Sequence, residues 1–438
     1  MIMRLVLVRH GLSSFNKEGL IQGRTNESYL SDEGYKQAQL TGKILNEIKF
    51  DKIYSSPLTR AAETAKEIEK CFKKNFNIHY DNNLLEVDLD KWSGLTINEI
   101  RSKYKDSYDL WKLDPEKLEL QKEDNSTYKP IQDLFEQAKE FIYKLKKENK
   151  NNQNVLIIAH NAILRCLILY LLKKPPGGFR KIKLDNASIS IINISESEDS
   201  FNTQVECINQ TSHLNKKFPN KNGKSRIILI RHGETDWNKE GRFQGQIDIP
   251  LNERGKDQSL KASKYLQEIK FTKAFSSSMK RPYETAKIIL GEENKIEIKE
   301  IKDLVEISHG LWEGKLEKEI KETWPEILKK WHSKPESIIM PEGESIKQVS
   351  ERSISAWNNI CESQQDNDTT LVVAHDAVNK TLICNILGLD YSNIWMIKQG
   401  NGGITVIDIV NKNEYILSAL NLTSHLGQII DTTASGAL

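Results

Sequence analysis

The sequence is poor in cysteine and has neither a long apolar run nor an excess of one charge sign. Its five cysteines form no Cys-x-x-Cys pair and no Cys/His cluster with zinc spacing, which predicts reduced thiols. The longest apolar stretch, residues 163–172, is interrupted by Arg165 and is too short to cross a membrane. The first residues have a strand pattern without the long apolar core of a signal peptide, so we expect a cytoplasmic protein.

Charge and composition exclude further classes of protein. The 63 Lys and Arg residues nearly balance 61 Asp and Glu residues, so nothing favours a nucleic-acid or membrane partner. No Gly-x-x-x-x-Gly-Lys-Ser/Thr motif is present, which argues against a P-loop nucleotide hydrolase. A length of 438 residues with 38% hydrophobic residues predicts a soluble chain of two domains.

An apolar run ending in Arg-His-Gly occurs twice, at residues 5–11 and 227–233. Other segments repeat in the same order: 15–19 with 237–241, 55–66 with 276–287, 85–87 with 305–307 and 156–160 with 371–375. The polar segment 215–224, which contains one proline and one glycine, has the composition of a linker. We therefore predict one duplicated domain, with copies at 1–214 and 225–438 joined by this linker.

Each copy alternates apolar strands with amphipathic helices. Branched apolar runs such as 5–8 and 155–159 are typical of strands buried on both faces of a parallel sheet. This order predicts the α/β class, with two tandem three-layer α/β/α domains, each a mostly parallel sheet flanked by helices. Open sheets of this kind place ligands at the carboxyl ends of their strands, where both Arg-His-Gly motifs lie.

Six polar residues recur in order and define a candidate site in each copy. They are Arg9, His10, Asn16, Arg60, Glu86 and His160 in the first copy, and Arg231, His232, Asn238, Arg281, Glu306 and His375 in the second. The planar guanidinium of arginine suits phosphate oxygens, and histidines at the ends of two buried strands can converge on one point. The glutamate is the single acid of the set, and proton donation to a leaving oxygen would explain it; the alternative is a surface loop acid.

In both copies these motifs resemble the histidine phosphatase superfamily, which has the phosphoglycerate-mutase-like fold. The resemblance covers nearly the whole chain and rests on several separated motifs. It implies that His10 or His232 attacks phosphorus to form a phosphohistidine, while His160 or His375 is a cation beside the phosphoryl group. It further implies that the arginines offset phosphoryl charge and that the glutamate serves as acid and then as base. No metal or other cofactor is implied, and the partner is a small-molecule phosphate ester, with the oligomeric state left open.

The sequence leaves two alternatives beside the expected function, a phosphomonoesterase acting on sugar or sugar-acid phosphates. A phosphoglycerate mutase is the first, although residues 307–314 after Glu306 contain no arginine and residues 315–341 contain no arginine pair for a second anion. The second is a non-catalytic phospholigand-binding first domain. That copy has Leu12-Ser13 where the second has Glu234-Thr235, and it lacks a counterpart of the Pro-Glu-Gly-Glu-Ser segment at 341–345.

Overall fold

The structure is a computed structural model that describes residues 2–122, 124–148, 152–196, 201–214, 218–427 and 429–433. It divides into two compact units, Met1–Pro219 and Asn220–Leu438, called domain 1 and domain 2 below. The division falls within the predicted linker 215–224, of which residues 215–217 lie outside the described ranges, as do residues 434–438 of the predicted second copy.

Domain 1 alternates strands with helices along the chain. Its strands are β1 (Ile2–Arg9), β2 (Lys52–Ser55), β3 (Ile78–Tyr80), β4 (Leu120–Gln121), β5 (Thr127–Tyr128), β6 (Asn154–Ala159), β7 (Ile189–Glu196) and β8 (Phe201–Gln210). Its α-helices are α1 (Ser14–Glu18), α2 (Asp32–Leu45), α3 (Thr59–Glu69), α4 (Ile97–Lys103), α5 (Lys105–Leu113), α6 (Pro130–Glu148) and α7 (Asn161–Leu171).

The sheet of domain 1 has the order β8-β7-β1-β6-β2-β3. Strands β1, β6, β2 and β3 are parallel, whereas β7 and β8 join antiparallel. Residues 5–8 of β1 and 155–159 of β6 are buried without alternation, as expected of strands covered on both faces. Helix α2 packs against α3 and α6 packs against α7, and these two pairs supply the covering layers.

Domain 2 repeats this architecture. Its strands are β9 (Ser225–Arg231), β10 (Lys273–Ser277), β11 (Ile298–Ile301), β12 (Thr369–Ala374), β13 (Ile404–Asn411) and β14 (Glu414–Leu422). Its α-helices are α8 (Asp236–Glu240), α9 (Glu253–Tyr265), α10 (Lys280–Leu290), α11 (Glu317–Thr323), α12 (Pro325–Ser333), α13 (Ile346–Glu362) and α14 (Asp376–Leu387). The sheet order β11-β10-β12-β9-β13-β14 matches that of domain 1, and the predicted fold class is confirmed.

Strand register brings the two conserved strand ends of each domain together. Arg9, the last residue of β1, lies opposite Ala159, the last residue of the parallel strand β6. Arg231 and Ala374 are paired in the same way in domain 2. The next residue of every one of these strands is a histidine. In the described part of the chain, no helix is both long and apolar enough to span a membrane.

The loop after β1 is held against the start of α2 by close backbone packing. A Cβ atom on Gly34 would lie 2.2 Å from the Leu12 carbonyl oxygen, so only glycine fits there. Ser31, the N-cap of α2, donates to that same carbonyl at 2.7 Å and accepts from the Gly34 amide at 3.1 Å. Helix α2 thus fixes the loop that follows His10.

We predict that Gly34→Ala destabilises domain 1 by about 1–3 kcal/mol, because the added methyl group must displace the backbone of this loop. Urea unfolding followed by circular dichroism measures the change. Lys36→Ala, on the exposed side of the same helix, is the control and should alter stability by at most about 0.5 kcal/mol. Equal effects of the two substitutions would contradict the close approach.

Candidate active site

Each domain places its two predicted histidines side by side. The ring centroids of His10 and His160 are 5.1 Å apart, and those of His232 and His375 are also 5.1 Å apart. All four side chains are buried. The strand register described above accounts for the pairing, since each histidine directly follows one of two parallel neighbouring strands.

Hydrogen bonding fixes the tautomer of the first histidine in each pair. His10 Nδ1 is 2.7 Å from the Gly11 carbonyl oxygen, and His232 Nδ1 is 2.7 Å from that of Gly233. A carbonyl only accepts, so Nδ1 carries the proton and Nε2 carries the lone pair. In domain 2, Arg281 Nε donates to His232 Nε2 at 3.2 Å, which requires that lone pair. Nε2 is therefore the unprotonated nitrogen of the ring.

The second histidine has the complementary arrangement. His160 Nε2 lies 2.8 Å from Ser56 Oγ, and His375 Nε2 lies 2.8 Å from Ser277 Oγ. Nδ1 of both rings is buried and has no hydrogen-bond partner among the described residues. With the serine hydroxyl donating to Nε2, Nδ1–H is the group left to donate to a ligand. The two serines were not predicted as site residues, although they lie in the repeated segments 55–66 and 276–287.

Both histidines of each pair are neutral in the protein alone. Burial lowers the pKa of His10 and His232 well below the ordinary value, and the arginines beside them lower it further. Burial, and then the Arg60 charge, likewise lowers the pKa of His160; His375 behaves in the same way. The cationic form expected of the second histidine concerns the site with a phosphoryl group bound, whose negative charge would favour that form.

Arg60 and Arg281 are buried cations held by backbone carbonyls. Arg60 donates to the carbonyl oxygens of Thr25 at 2.8 Å and Gly23 at 2.9 Å, and Arg281 donates to that of Gly245 at 2.9 Å. Neither guanidinium forms an ion pair with a described residue, and burial lowers the pKa of each to about 10. A rigid buried cation without a carboxylate partner is well suited to bind an anion.

The remaining arginine of each site is also fixed by a backbone carbonyl. Arg9 Nη1 donates to Leu184 O at 2.8 Å, and Arg231 Nη1 donates to Gln399 O at 2.7 Å. Arg9 and Arg231 directly precede His10 and His232 in sequence, and their charges act on those histidines. Each domain therefore holds two arginines around its histidine pair.

The predicted asparagines are positioned by a second asparagine that sequence reasoning missed. Asn186 Nδ2 donates to Asn16 Oδ1 at 3.0 Å and to His10 O at 3.1 Å. Asn401 Nδ2 makes the equivalent bond to Asn238 Oδ1 at 3.3 Å. Asn186 and Asn401 lie the same number of residues apart as His160 and His375. This repeated spacing is the signal in the sequence that could have revealed them.

The predicted acid of each site lies at the start of the helix that follows the second histidine. Glu86 accepts from the Ala162 amide at 3.1 Å, and Glu306 accepts from the amides of Asp376 at 3.0 Å and Ala377 at 3.2 Å. Burial raises the pKa of Glu306, and the Asp376 charge raises it further, which favours the protonated acid. The structure thus places all six predicted residues of each copy around one point.

The loop that carries the acid is held by an arginine and a glutamine whose positions are exchanged between the domains. In domain 1, Arg24 Nε donates to Glu86 O at 2.9 Å, and Gln137 bonds Arg24 and the Leu85 carbonyl. In domain 2, Gln246 Nε2 and Arg352 Nη2 both donate to Glu306 O at 3.0 Å. This exchange compensates for the missing counterpart of 341–345, because Glu344 of that segment serves to bind Arg352.

No group of three or more His, Cys, Asp or Glu side chains is placed to hold a metal ion within the described ranges.

The sequence model of the histidine phosphatase superfamily (branch 1) matches residues 5–206 and 227–422. Phosphoserine phosphatase 1 of Hydrogenobacter thermophilus is 35% identical over 203 residues, covering 46% of this chain and 95% of its own. The 2-carboxy-D-arabinitol-1-phosphatase of Triticum aestivum is 25% identical over 452 residues, covering 97% of this chain and 87% of its own. The structure of Bacillus stearothermophilus YhfR has 30% identity and a TM-score of 0.44, covering 46% of this chain and 99% of its own.

We predict that inorganic phosphate binds once in each domain and that Arg60→Gln and Arg281→Gln each remove one of the two sites. Loss of a buried charged hydrogen-bond donor should weaken phosphate binding at that site by at least about 30-fold. Isothermal titration calorimetry measures the stoichiometry. Arg101→Gln on the exposed face of α4 is the matched control. Two undiminished sites in either buried-arginine variant would refute this assignment.

Proposed function

The chain belongs to the histidine phosphatase superfamily, and we propose that both of its domains hydrolyse phosphomonoesters of small metabolites through a phosphohistidine, without a metal. One observation carries the proposal. In each domain a buried neutral histidine presents an unprotonated Nε2 beside two arginines whose guanidiniums are anchored by carbonyls. Those cations attract a phosphoryl group and place its phosphorus next to a nucleophile that needs no deprotonation.

The reaction proceeds in two displacements. The Nε2 lone pair forms the N–P bond while the ester P–O bond breaks, and the leaving alkoxide takes the proton of Glu86 or Glu306. The resulting carboxylate then removes a proton from water, whose oxygen attacks phosphorus as the N–P bond breaks. In both steps the arginines and Nδ1–H of the second histidine donate to the phosphoryl oxygens, where negative charge is greatest.

Hydrolysis rather than phosphoryl isomerisation is favoured by the segment after the acid. In domain 2, residues 307–314 contain no arginine to hold the second anion of a retained intermediate. Two of the relatives named above are named as phosphatases of phosphoserine and of 2-carboxy-D-arabinitol 1-phosphate, which are small esters that also carry a carboxylate. These names support a sugar-acid phosphate or similar substrate.

Activity in both domains is supported by the equivalence of their sites. Domain 1 keeps the histidine pair, both arginines and the acid, and the Arg24–Gln137 pair holds its acid loop in place of Arg352. A cytoplasmic location remains our proposal and is supported by the cysteines, all of which are free thiols.

We predict that His10→Ala and His232→Ala each remove one component of phosphatase activity, because each deletes one nucleophile. The double variant should release phosphate at least about 10³-fold more slowly than the unaltered chain. Phosphate release is measured on a metabolite panel, and acid-quenched samples are tested for phosphohistidine. Phosphate release that survives the double substitution would rule out the histidine route. Interconversion of 3- and 2-phosphoglycerate without free phosphate would instead establish a mutase.

The His10→Ala variant reports the activity of domain 2. We predict that protonation of its nucleophile, His232, does not lower kcat/KM of this variant as the pH decreases from 7.5 to 6.0. About three quarters of an ordinary histidine, with a pKa of about 6.5, would be protonated at pH 6.0. The lowered pKa of His232 keeps Nε2 bare there, and the raised pKa of Glu306 keeps that acid protonated further toward neutral pH. Activity should therefore decline on the alkaline side, as Glu306 loses its proton.

Pre-steady-state and steady-state rates from pH 5.5 to 8.5 test this profile. Adding Glu306→Gln supplies the control, because glutamine does not titrate and the alkaline decline should disappear along with most of the activity. A decline of about fourfold from pH 7.5 to 6.0 in pre-steady-state histidine phosphorylation would contradict a neutral nucleophile.

A further inference from the structure

The two sites differ at three equivalent positions beside the second histidine. Domain 1 has Asn161, Arg165 and Arg180 where domain 2 has Asp376, Lys380 and Trp395. The first two positions lie in the first turns of α7 and α14. The third lies in the short 3₁₀ helix that follows each of them, Pro176–Lys181 in domain 1 and Tyr391–Met396 in domain 2. These exchanges make domain 1 more positive by two unit charges, one from Asp to Asn and one from Trp to Arg.

In domain 2 the charges at these positions compensate one another. Asp376 Oδ2 is 2.9 Å from Lys380 Nζ, and Asp376 Oδ1 is 3.6 Å from Arg231 Nη1. Lys380 Nζ also lies 4.9 Å from the centre of the Trp395 ring. All three charged side chains are buried. The lysine is therefore occupied by a carboxylate of its own helix.

In domain 1 the corresponding cations have no such carboxylate. No described residue forms an ion pair with Arg165 or Arg180. Arg165 lies 5.1 Å from the Phe179 ring centre, and Arg180 lies 4.8 Å from that of Trp111 while donating to the Trp111 carbonyl at 2.6 Å. Cation–π contact with an aromatic ring helps to orient each guanidinium without neutralising its charge.

This pair of arginines belongs to the active-site region of domain 1. Arg165 is one turn beyond the amide of Ala162 that binds Glu86, and it interacts electrostatically with both Arg9 and Glu86. Arg165 and Arg180 also act on each other as like charges, and burial disfavours the charged form of each. Both side chains are nonetheless only half-buried, so a ligand can reach them. Two neighbouring cations that repel each other and are partly desolvated are stabilised by an anion that binds between them.

We propose that domain 1 selects phosphomonoesters that carry a second anionic group, a carboxylate or a second phosphate, which Arg165 and Arg180 bind together. Domain 2 lacks this preference because Asp376 already occupies Lys380 and would repel the second anion. The substrate preference rests on the function proposed above, whereas the binding preference is measurable without turnover. The duplicated chain thereby combines one chemistry with two substrate ranges.

Ligand binding to the catalytically silent His10→Ala/His232→Ala chain tests the proposal. Adding Arg281→Gln leaves domain 1 as the phosphate site, and adding Arg60→Gln instead leaves domain 2. The first pair of probes is 3-phosphoglycerate and glycerol 3-phosphate, which differ by a carboxylate in place of a hydroxymethyl group. The second pair is propane-1,3-diol bisphosphate and propyl phosphate.

Calorimetry should show that domain 1 binds the more anionic member of at least one probe pair at least about tenfold more tightly than the less anionic member. The affinities of domain 2 for the two members of a pair should differ by less than about threefold. The pair that shows the preference identifies the second anion as a carboxylate or a phosphate. Equal discrimination by the two domains, or none in domain 1, would overturn the proposal.

Substitutions in domain 1 identify the residues responsible. Arg165→Gln and Arg180→Gln should each weaken binding of the more anionic probe at least about tenfold more than binding of its partner. Asn161→Asp, which restores the domain 2 carboxylate at nearly constant size, should do the same without removing an arginine. Lys380→Gln in domain 2 is the matched control and should affect both probes alike. A preference that survives in the folded Arg165→Gln/Arg180→Gln variant would overturn the assignment.

A comparison with turnover separates this inference from the proposed function. If the unaltered chain releases no phosphate from any probe while the binding preference is present, hydrolysis is wrong and the anion site stands. If phosphate is released but domain 1 shows no preference, hydrolysis stands and the anion site is wrong.

Discussion

Both sites depend on the pairing of two parallel strands buried on both faces. The pairing of Arg9 with Ala159 sets the positions of His10 and His160, and the pairing of Arg231 with Ala374 does the same in domain 2. A shift of one residue would turn each histidine to the other face of its sheet, since strand side chains alternate. The continuous apolar runs before these histidines therefore determine where the chemistry takes place as well as stabilising the core.

Around this pair of strands, neutral backbone groups bind the positively charged side chains of Arg60 and Arg281. Carbonyl oxygens bind Arg60 and Arg281, so orientation is fixed while the charge remains available. The same uncompensated charge lowers the pKa of the histidines beside it. The charge that would attract an anion therefore also adds to the effect of burial in keeping the adjacent histidine neutral. Carboxylates in place of those carbonyls would weaken both properties, which explains why the acid lies apart, at a helix N-terminus.

The sequence alone was sufficient for the fold class and the duplication, and it selected six residues in each copy that the structure groups together, because periodicity and spaced motifs are local properties. It was insufficient for residues that act through a hydrogen bond across the fold. Asn186 reaches Asn16 over a long sequence separation, and Ser56 reaches His160 from the position just after β2. Their identities repeat between the copies, but nothing in their neighbourhoods distinguishes a site residue from a structural one.

The exchanged Arg24–Gln137 and Gln246–Arg352 pairs show a limit of a different kind. Position by position they are mismatches between the copies, and the missing Gly-Glu-Ser segment likewise indicated a degraded first site. In three dimensions each pair performs one task, binding the carbonyl of the acid or the loop beside it. An arginine at either of the two exchanged positions can supply the hydrogen-bond donors. Each of these arginines also has a carboxylate near it that offsets its charge. Arg352 pairs with Glu344 in domain 2, and Arg24 pairs with Asp88 at 3.8 Å in domain 1.

The copies have therefore diverged by compensated changes in the residues that hold the acid, and by uncompensated changes of charge at Asn161 and Arg180. Compensated changes preserve the arrangement of the acid, whereas uncompensated charge changes alter the electrostatic field that a ligand would meet, so we interpret the divergence at those two positions as one of ligand preference.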